Sequence, residues 1–216
     1  ASHAALLEQH QGREGEPCDF VCHARHFPEA GISQWMVCPS DVPGAFSMQA
    51  GVLAACGLSI VSAEAVTRTD GTCINSFAVT DMRGRVVTDQ GRWRRVQRML
   101  SRVMAGEKAL SELLANASTH AKAGNAGPDA RLKRIEVSND LSDLATVVEV
   151  ITDDRVGLVY DITQVFVDRG LDLQVAKIAT RHDLASDAFY VVNRHGNKMG
   201  KRSRRMLSAV LRERFN

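Results

Sequence analysis

Residues 152–162 read TDDRVGLVYDI, so two carboxylates (Asp153, Asp154), a guanidinium (Arg155) and a glycine (Gly157) meet where the β-branched run Thr146 to Ile151 gives way to apolar residues at helical spacing. Such groups could serve as acid and base, hold a cation, or meet a charged ligand at the start of a helix, whose unpaired N–H groups and dipole favour anions. Glycine there permits backbone angles closed to other residues and lets a ligand approach the main chain closely. A ligand's anionic group suits that spot, a nearby aspartate would answer any cationic group it carries, and Arg155 would brace either the ligand or a neighbouring element. The plain alternative is an N-capping aspartate followed by a packing glycine.

Other reactive residues form weaker constellations. In CDFVCHARH, Cys18, Cys22, His23 and His26 are all chemically able to bind zinc. If the segment is a strand, adjacent Cys22 and His23 point to opposite faces and cannot converge on one tetrahedral ion. An edge strand with solvent-facing histidines is the preferred reading. The dipeptide His182-Asp183 lies at an expected hairpin turn without the further His and Asp ligands that a metal-dependent phosphohydrolase needs. No Gly-Ser followed by an Asp-x-Asp pair is present, so clustered carboxylates for Mg²⁺ are missing. No cysteine is paired with an evident base, and no catalytic residue is assigned.

The elements that must position the glycine loop occur twice. SDVPGAFSMQAGVLAACGLSIVSAEAVTR, from Ser40, registers without a gap on DDRVGLVYDITQVFVDRGLDLQVAKIATR, from Asp153. Asp41 falls on Asp154, Gly44 on Gly157, Gly57 on Gly170 and Ala63 on Ala176, a spacing of 113 residues; after one deletion Phe77 matches Phe189 and Gly84 matches Gly196, 112 apart. Each copy predicts a strand (about 33–39, and 146–152), a glycine loop, a helix (about 44–56, and 157–169) stopped by Gly57 or Gly170, two strands joined by a hairpin, and a second helix. Strand, helix, strand, strand, helix is the ferredoxin-like plait without its last strand. The segments DFVCHAR and LKRIEVS, just ahead of each first strand, are expected to hairpin into that edge position. The fold class is therefore α+β: two α/β plaits, each an antiparallel sheet with two helices on one face and an edge strand supplied from the N-terminal side. The expected division is an N-terminal extension at 1–17, a first domain at 18–105, a helix extension and linker at 106–130 rich in small residues, Gly and Pro, and a second domain at 131–216.

Asp41-Val42-Pro43-Gly44-Ala45-Phe46 and Asp154-Arg155-Val156-Gly157-Leu158-Val159, each with a Gly-x-x-Ile/Leu turn (Gly57, Ile60; Gly170, Leu173), resemble the D-R-P-G-L-L signature of ACT domains, small-molecule-sensing modules. More narrowly, RIEVSNDLSDLATVVEVITDDRVGLVYDIT with DAFYVVNRHG, and TRTDGTCINSFAVTDMRG in the first copy, resemble the C-terminal tandem ACT region of bacterial PII uridylyltransferase/uridylyl-removing enzymes, over roughly residues 20–216. The resemblance implies glutamine sensing that balances uridylylation against deuridylylation of the PII signal protein. It also implies upstream nucleotidyltransferase and phosphohydrolase domains, to which any Mg²⁺ would belong; no cofactor is expected in this chain. ACT pockets typically lie between two copies, the glycine loop of one facing the start of the second strand of the other. That points to Asp41, Gly44, Ala45, Ser59 and Ile60 from copy one, and Asp154, Arg155, Gly157, Leu158, Asp172 and Leu173 from copy two. The copies depart from the signature: Val156 replaces the proline in one, and Ala45-Phe46 replaces Leu-Leu in the other, so Phe46 is expected to fill ligand space and the two sites to be inequivalent.

Charge and composition bound the rest. The formal net charge is +2 with 44% hydrophobic residues, and no apolar run nears the roughly 18 residues of a membrane span. Five cysteines without a signal-peptide pattern suggest reduced thiols in the cytoplasm. The start at Ala1-Ser2-His3 lacks a methionine, which suggests a fragment of something longer. Arginines 92, 94, 95, 98 and 102, and Lys198, Lys201, Arg202, Arg204, Arg205, Arg212 and Arg214, crowd the second helix of each copy. The preferred reading is a solvated face, or a surface touching catalytic domains or PII. A free-standing tandem ACT sensor acting through protein partners is the first alternative, with a homodimer as a further arrangement. An RNA-binding plait is the second, disfavoured because only 5% of residues are aromatic.

Overall fold

The computed structural model describes residues 20–39, 44–67, 73–114, 131–181 and 184–215. Eight strands are formed: β1 Phe20–Phe27, β2 Ile32–Pro39, β3 Leu58–Thr67, β4 Cys73–Asp81, β5 Leu132–Ser138, β6 Thr146–Asp153, β7 Leu171–Arg181 and β8 Leu184–Asn193. Among the described residues, four α-helices with both ends placed accompany them: α1 Ala45–Ala55, α2 Gln90–Met104, α3 Leu158–Asp168 and α4 Lys201–Phe215. The strands make one antiparallel sheet in the order β1-β2-β4-β3-β7-β8-β6-β5. Each half is a ferredoxin-like plait. The edge strands come from the N-terminal side as the sequence implies: β1 hairpins onto β2, with Phe27 opposite Ile32, and β5 onto β6, with Ser138 opposite Val147.

Alternation sets the two faces of this sheet. Trp35 and Val37 of β2, Phe77 and Val79 of β4, Val148 and Val150 of β6, and Phe189 and Val191 of β8 are buried in one apolar core that runs beneath the helices of both copies. Phe46 stacks on Phe77 with ring centroids 5.0 Å apart, and Phe166 meets Phe189 edge-on at 5.3 Å. These aromatic groups are therefore committed to packing. In an RNA-binding plait, aromatic side chains of the central strands stack on bases, whereas Trp35, Phe77 and Phe189 lie buried beneath the helices. Part of the basic helix surface is also used internally. Arg92 donates to the carbonyls of Cys56 (3.2 Å) and Gly57 (2.7 Å) at the end of α1, and Arg212 donates to the Ile135 carbonyl at 3.3 Å.

Helix α1 differs from its counterpart. It is buried almost all round, so its apolar residues show no single stripe. Gly51 explains how it fits: a Cβ there would come within 2.5 Å of the Leu110 side chain and 2.8 Å of Tyr160. A run of α2 onward through Lys108 to Ala115 is the sequence expectation; instead α2 ends at Met104, Gly106 turns at φ 71°, and a separate helical segment begins at residue 110 and places Leu110 against α1. A left-handed glycine ends a helix because it satisfies the last carbonyls without Cβ strain.

The halves join through β3 and β7, which pair antiparallel from Ser62–Ala179 to Val66–Val175. Glu64 lies opposite Lys177, and these are the same position of the repeat, so they mark its pseudo-twofold axis. Both are exposed on the open face. Pairing of either strand with a second copy of itself would oppose like charges, whereas the internal pairing opposes unlike ones. Glu64→Lys is expected to lower the urea midpoint, by roughly 0.5 kcal/mol of stability. Combining it with Lys177→Glu is expected to recover the loss, and failure to recover would show that the pair contributes nothing to the seam.

Candidate effector site

Both loop glycines hold the geometry their sequence requires. Gly44 and Gly157 occupy the N-cap positions of α1 and α3 with φ of 77° and 83°, a left-handed conformation that other residues adopt only with strain. Helices α1 and α3 then pack antiparallel across the pseudo-twofold axis. Gly51 lies by Tyr160, and Ser47 donates to Gln164 at 3.5 Å. At the two ends of this contact lie the two loops.

The ends are not alike. A Cβ built on Gly157 would meet Ala54 of α1 at 4.0 Å, an ordinary contact, while one on Gly44 would meet Cγ2 of Val167 at 3.0 Å. Ala54 and Val167 are equivalent positions of the repeat. The larger side chain therefore lies close on Gly44, and the smaller one leaves a crevice at Gly157. Asp154, Arg155, Val156, Gly157, Leu158, Val159 and Tyr160 form one wall, and Ala50, Ala54, Leu58 and Ile60 of the other copy form the opposite one. Its volume is about 10 Å³, room for about one water. A β-bulge falls at the same place in both copies, between Ile60 and Ser62 and between Leu173 and Val175. Such a bulge re-aims side chains, here those facing the glycine loop.

Of the residues singled out by sequence, the crevice thus gathers Ile60, Asp154, Arg155, Gly157 and Leu158. Ser59 pairs with Thr80 in the sheet and does not line it. Of the rest, Gly44 and Ala45 lie at the α1 start of copy one, while in copy two Leu173 packs against the core and Asp172 is exposed and accepts a hydrogen bond from Gln174 at 2.5 Å. Asp41 lies outside the described residues, as do Cys18 and the His182-Asp183 dipeptide. Phe46 does not occupy the loop region as its size suggests, because it turns into the core on Phe77; Val167 takes that role. Arg155 does not reach across to the other copy. It pairs with Asp161 on the first turn of α3, which also meets Arg214 at 3.4 Å, and donates to the Val156 carbonyl at 3.3 Å. Its guanidinium ties the loop to α3.

On β1 the histidines divide. His23 is exposed, but His26 faces inward, 3.1 Å from Ser33 Oγ and with its ring 6.2 Å from that of Trp93. Burial pushes the Cys22 thiol up, partly offset by its contacts with Trp35 and Gln97. No group of three or more metal-ligating side chains occurs among the described residues. A larger groove, of about 480 Å³, lies at the far end of copy two between Arg169, Asn193, Arg194, Met199 and Met206. It is open to solvent and contains no glycine-loop residue.

One residue near the crevice escaped the motif. Asp187 of β8 is 3% exposed, faces the core, and accepts a single hydrogen bond from the Ala179 N–H at 3.3 Å. Burial pushes its carboxyl up to about 7; the Ala179 N–H opposes this and the charge of Asp154 adds to it. Alignment of the copies carried the signal, since Asp187 falls on Asn75.

Similarity to known proteins follows this architecture. The chain is 32% identical over 172 residues to the bifunctional uridylyltransferase/uridylyl-removing enzyme of Gluconobacter oxydans, covering 80% of this chain and 18% of that one. It is 32% identical over 190 residues to the enzyme of the same description from Azospirillum brasilense, covering 83% and 20%. This chain, two ferredoxin-like plaits in tandem, is similar to part of those enzymes. It spans about a fifth of the length of these curated relatives. No family model matches. A structural likeness to the aspartate kinase of Synechocystis, with a TM-score of 0.43 and 12% identity over 86% of this chain and 27% of that one, is too loose to bear on function. No helix among the described residues is long and apolar enough to cross a membrane.

The Asp187 carboxyl gives a pH test of the site. Its pKa in the fold lies above the unfolded value, so the fold binds the extra proton between about pH 4 and 7 and loses stability as pH rises through that window. Asp187→Asn is therefore expected to change stability little at pH 4 and to raise it above pH 7, by up to a few kcal/mol. Urea unfolding at both pH values checks this; an equal effect at the two would show that the carboxyl is not displaced.

Proposed function

We propose that this tandem ACT pair is the regulatory segment of a PII uridylyltransferase/uridylyl-removing enzyme and senses an amino acid, glutamine, at the Gly157 crevice. On this reading the effector signals nitrogen status. It shifts the balance between uridylylation and deuridylylation of the PII protein by catalytic domains encoded upstream, which would hold any Mg²⁺, in the cytoplasm. The proposed domain division is that of the repeat, a first ACT unit at 18–105 and a second at 131–216.

The observation that carries the reading is that the crevice is built from both copies: the glycine loop and first turn of α3 on one side, and α1 with the start of β3 on the other. A ligand bound there would couple the two plaits, which is what a regulatory segment must do to transmit occupancy. The start of α3 supplies a partial positive charge for an α-carboxylate. Burial, with the carboxylates of Asp161 and Asp168, raises the Tyr160 phenol, which keeps it a neutral donor on the same wall. As it stands the crevice has room for about one water, so binding requires the 154–157 loop to lift from Ala54. Similarity to uridylyltransferase/uridylyl-removing enzymes over four fifths of the chain supports the parent activity.

Calorimetric titration with L-glutamine is expected to show one site per chain, because Val167 lies close on Gly44 where Gly157 meets only Ala54. Ala54→Val, which puts the covering side chain at the open crevice, is expected to abolish the heat without unfolding the protein. Absence of heat with any amino acid, together with salt-sensitive RNA binding, would overturn the reading.

A further inference from the structure

The two copies treat the end of their first helix differently. In copy one Arg92 of α2 lies across it: the guanidinium donates to the Cys56 and Gly57 carbonyls, and a Cβ on Gly57 would meet it at 3.2 Å. In copy two the same place is the groove of about 480 Å³, and a Cβ on the equivalent Gly170 would meet nothing within 4 Å. Matching hydrogen bonds fix the register: the Gly84 N–H donates to the Asp81 carbonyl as Gly196 does to Asn193, and Trp93 donates to Asp89 as Arg204 does to Gly200. Ser203 therefore stands where Arg92 does and Met206 where Arg95 does, so two long cations give way to a hydroxyl and an apolar wall. The surrounding charge changes with them. Asn193 and Gly200 stand in the places of the carboxylates Asp81 and Asp89, while Arg169 and Arg194 stand in those of the uncharged Cys56 and Met82; His195 takes the place of Arg83 at the rim. No carboxylate lines the groove, and neither Arg169 nor Arg194 pairs with one among the described residues.

We infer that this groove is a second ligand site, one that takes a small organic anion: a phosphate or carboxylate held by Arg169 and Arg194, on an apolar body that lies against Leu171 and Met206. The volume suits such a ligand, since small-molecule sites run about 300–1,000 Å³. Met206 is 48% exposed at its wall, an apolar surface that a bound body would cover. The end of α3 carries roughly half a negative charge and the start of α4, at Gly200, roughly half a positive one. These helix ends offset each other, so the two guanidinium groups set the sign. A cation or a neutral molecule would leave both unmatched, whereas an anion can accept from each of them in bidentate fashion. Both guanidinium groups are exposed, so salt screens the attraction. The groove lies at the opposite end of α3 from the Gly157 crevice and shares no residue with it, so the inference goes beyond the amino-acid-sensing reading and does not depend on it.

Titration with phenyl phosphate and with benzoate, each an anion on an apolar ring, tests this, with phenyltrimethylammonium as the cationic control and amide NMR spectra as the readout. The anions are expected to shift the Gly170, His195 and Ser203 amides, and the tighter of the two identifies the anionic group. Ser203→Arg, which restores the copy-one filling, is expected to weaken binding at least about tenfold while its thermal melt stays cooperative. Arg169→Gln combined with Arg194→Gln is expected to do the same without adding bulk, and serves should an arginine at position 203 pack poorly. Absence of shifts at these amides with both anions, equal affinity in wild type and variants, or tighter binding of the cation would overturn the inference. Glutamine titration of Ser203→Arg is expected to match wild type, so failure of the groove and failure of the sensor reading are told apart.

Discussion

The β3–β7 seam is the interaction on which the molecule depends. Each plait alone would end at an unpaired strand, with a row of free backbone donors and acceptors available to any other edge. Joining the two edges makes one eight-stranded sheet and sets α1 beside α3. The same antiparallel symmetry puts each glycine loop against the other copy's helix. Position 64/177, a glutamate in one copy and a lysine in the other, falls on the axis. Duplication could therefore relax the requirement that a homodimer imposes, where any charge at the axis must face itself.

Once two copies are fused, they are free to diverge around a common frame. The structure shows divergence concentrated between α1 and α3. Ala50, Gly51 and Ala54 make α1 slender enough to lie close to α3 and to Leu110. Val167, in the place of Ala54, lies close on Gly44, while Gly157 keeps its crevice. In the sheet and helix of the second copy, Asp187 and Ile162 stand where Asn75 and Gln49 pair in the first. One end of the pseudo-symmetric contact thus became packing, and the other kept charged groups in a confined space.

Confinement alters what those charged groups do. Arg155 and Asp161 are partly buried and fix the loop to its own helix. Burial raises the carboxyl of Asp187 on β8, and the charge of Asp154 adds to it.

Much of this was legible along the chain. The repeat, the glycine loops, the stops at Gly57 and Gly170 and the hairpinned edge strands are local patterns, governed by backbone angles and alternation within a few residues, and they appear where the sequence places them. Half of the crevice was legible too, because Ile60, Asp154, Arg155, Gly157 and Leu158 follow from the motif. Tertiary structure alone decided which loop stayed open, that Phe46 turns into the core, that Arg155 serves its own copy, and that His26 faces Trp93. Each of these turns on which atoms lie within about 4 Å across elements distant in sequence. A difference of two methyl groups between Ala54 and Val167 carries no message until the α1–α3 packing brings each residue over a glycine.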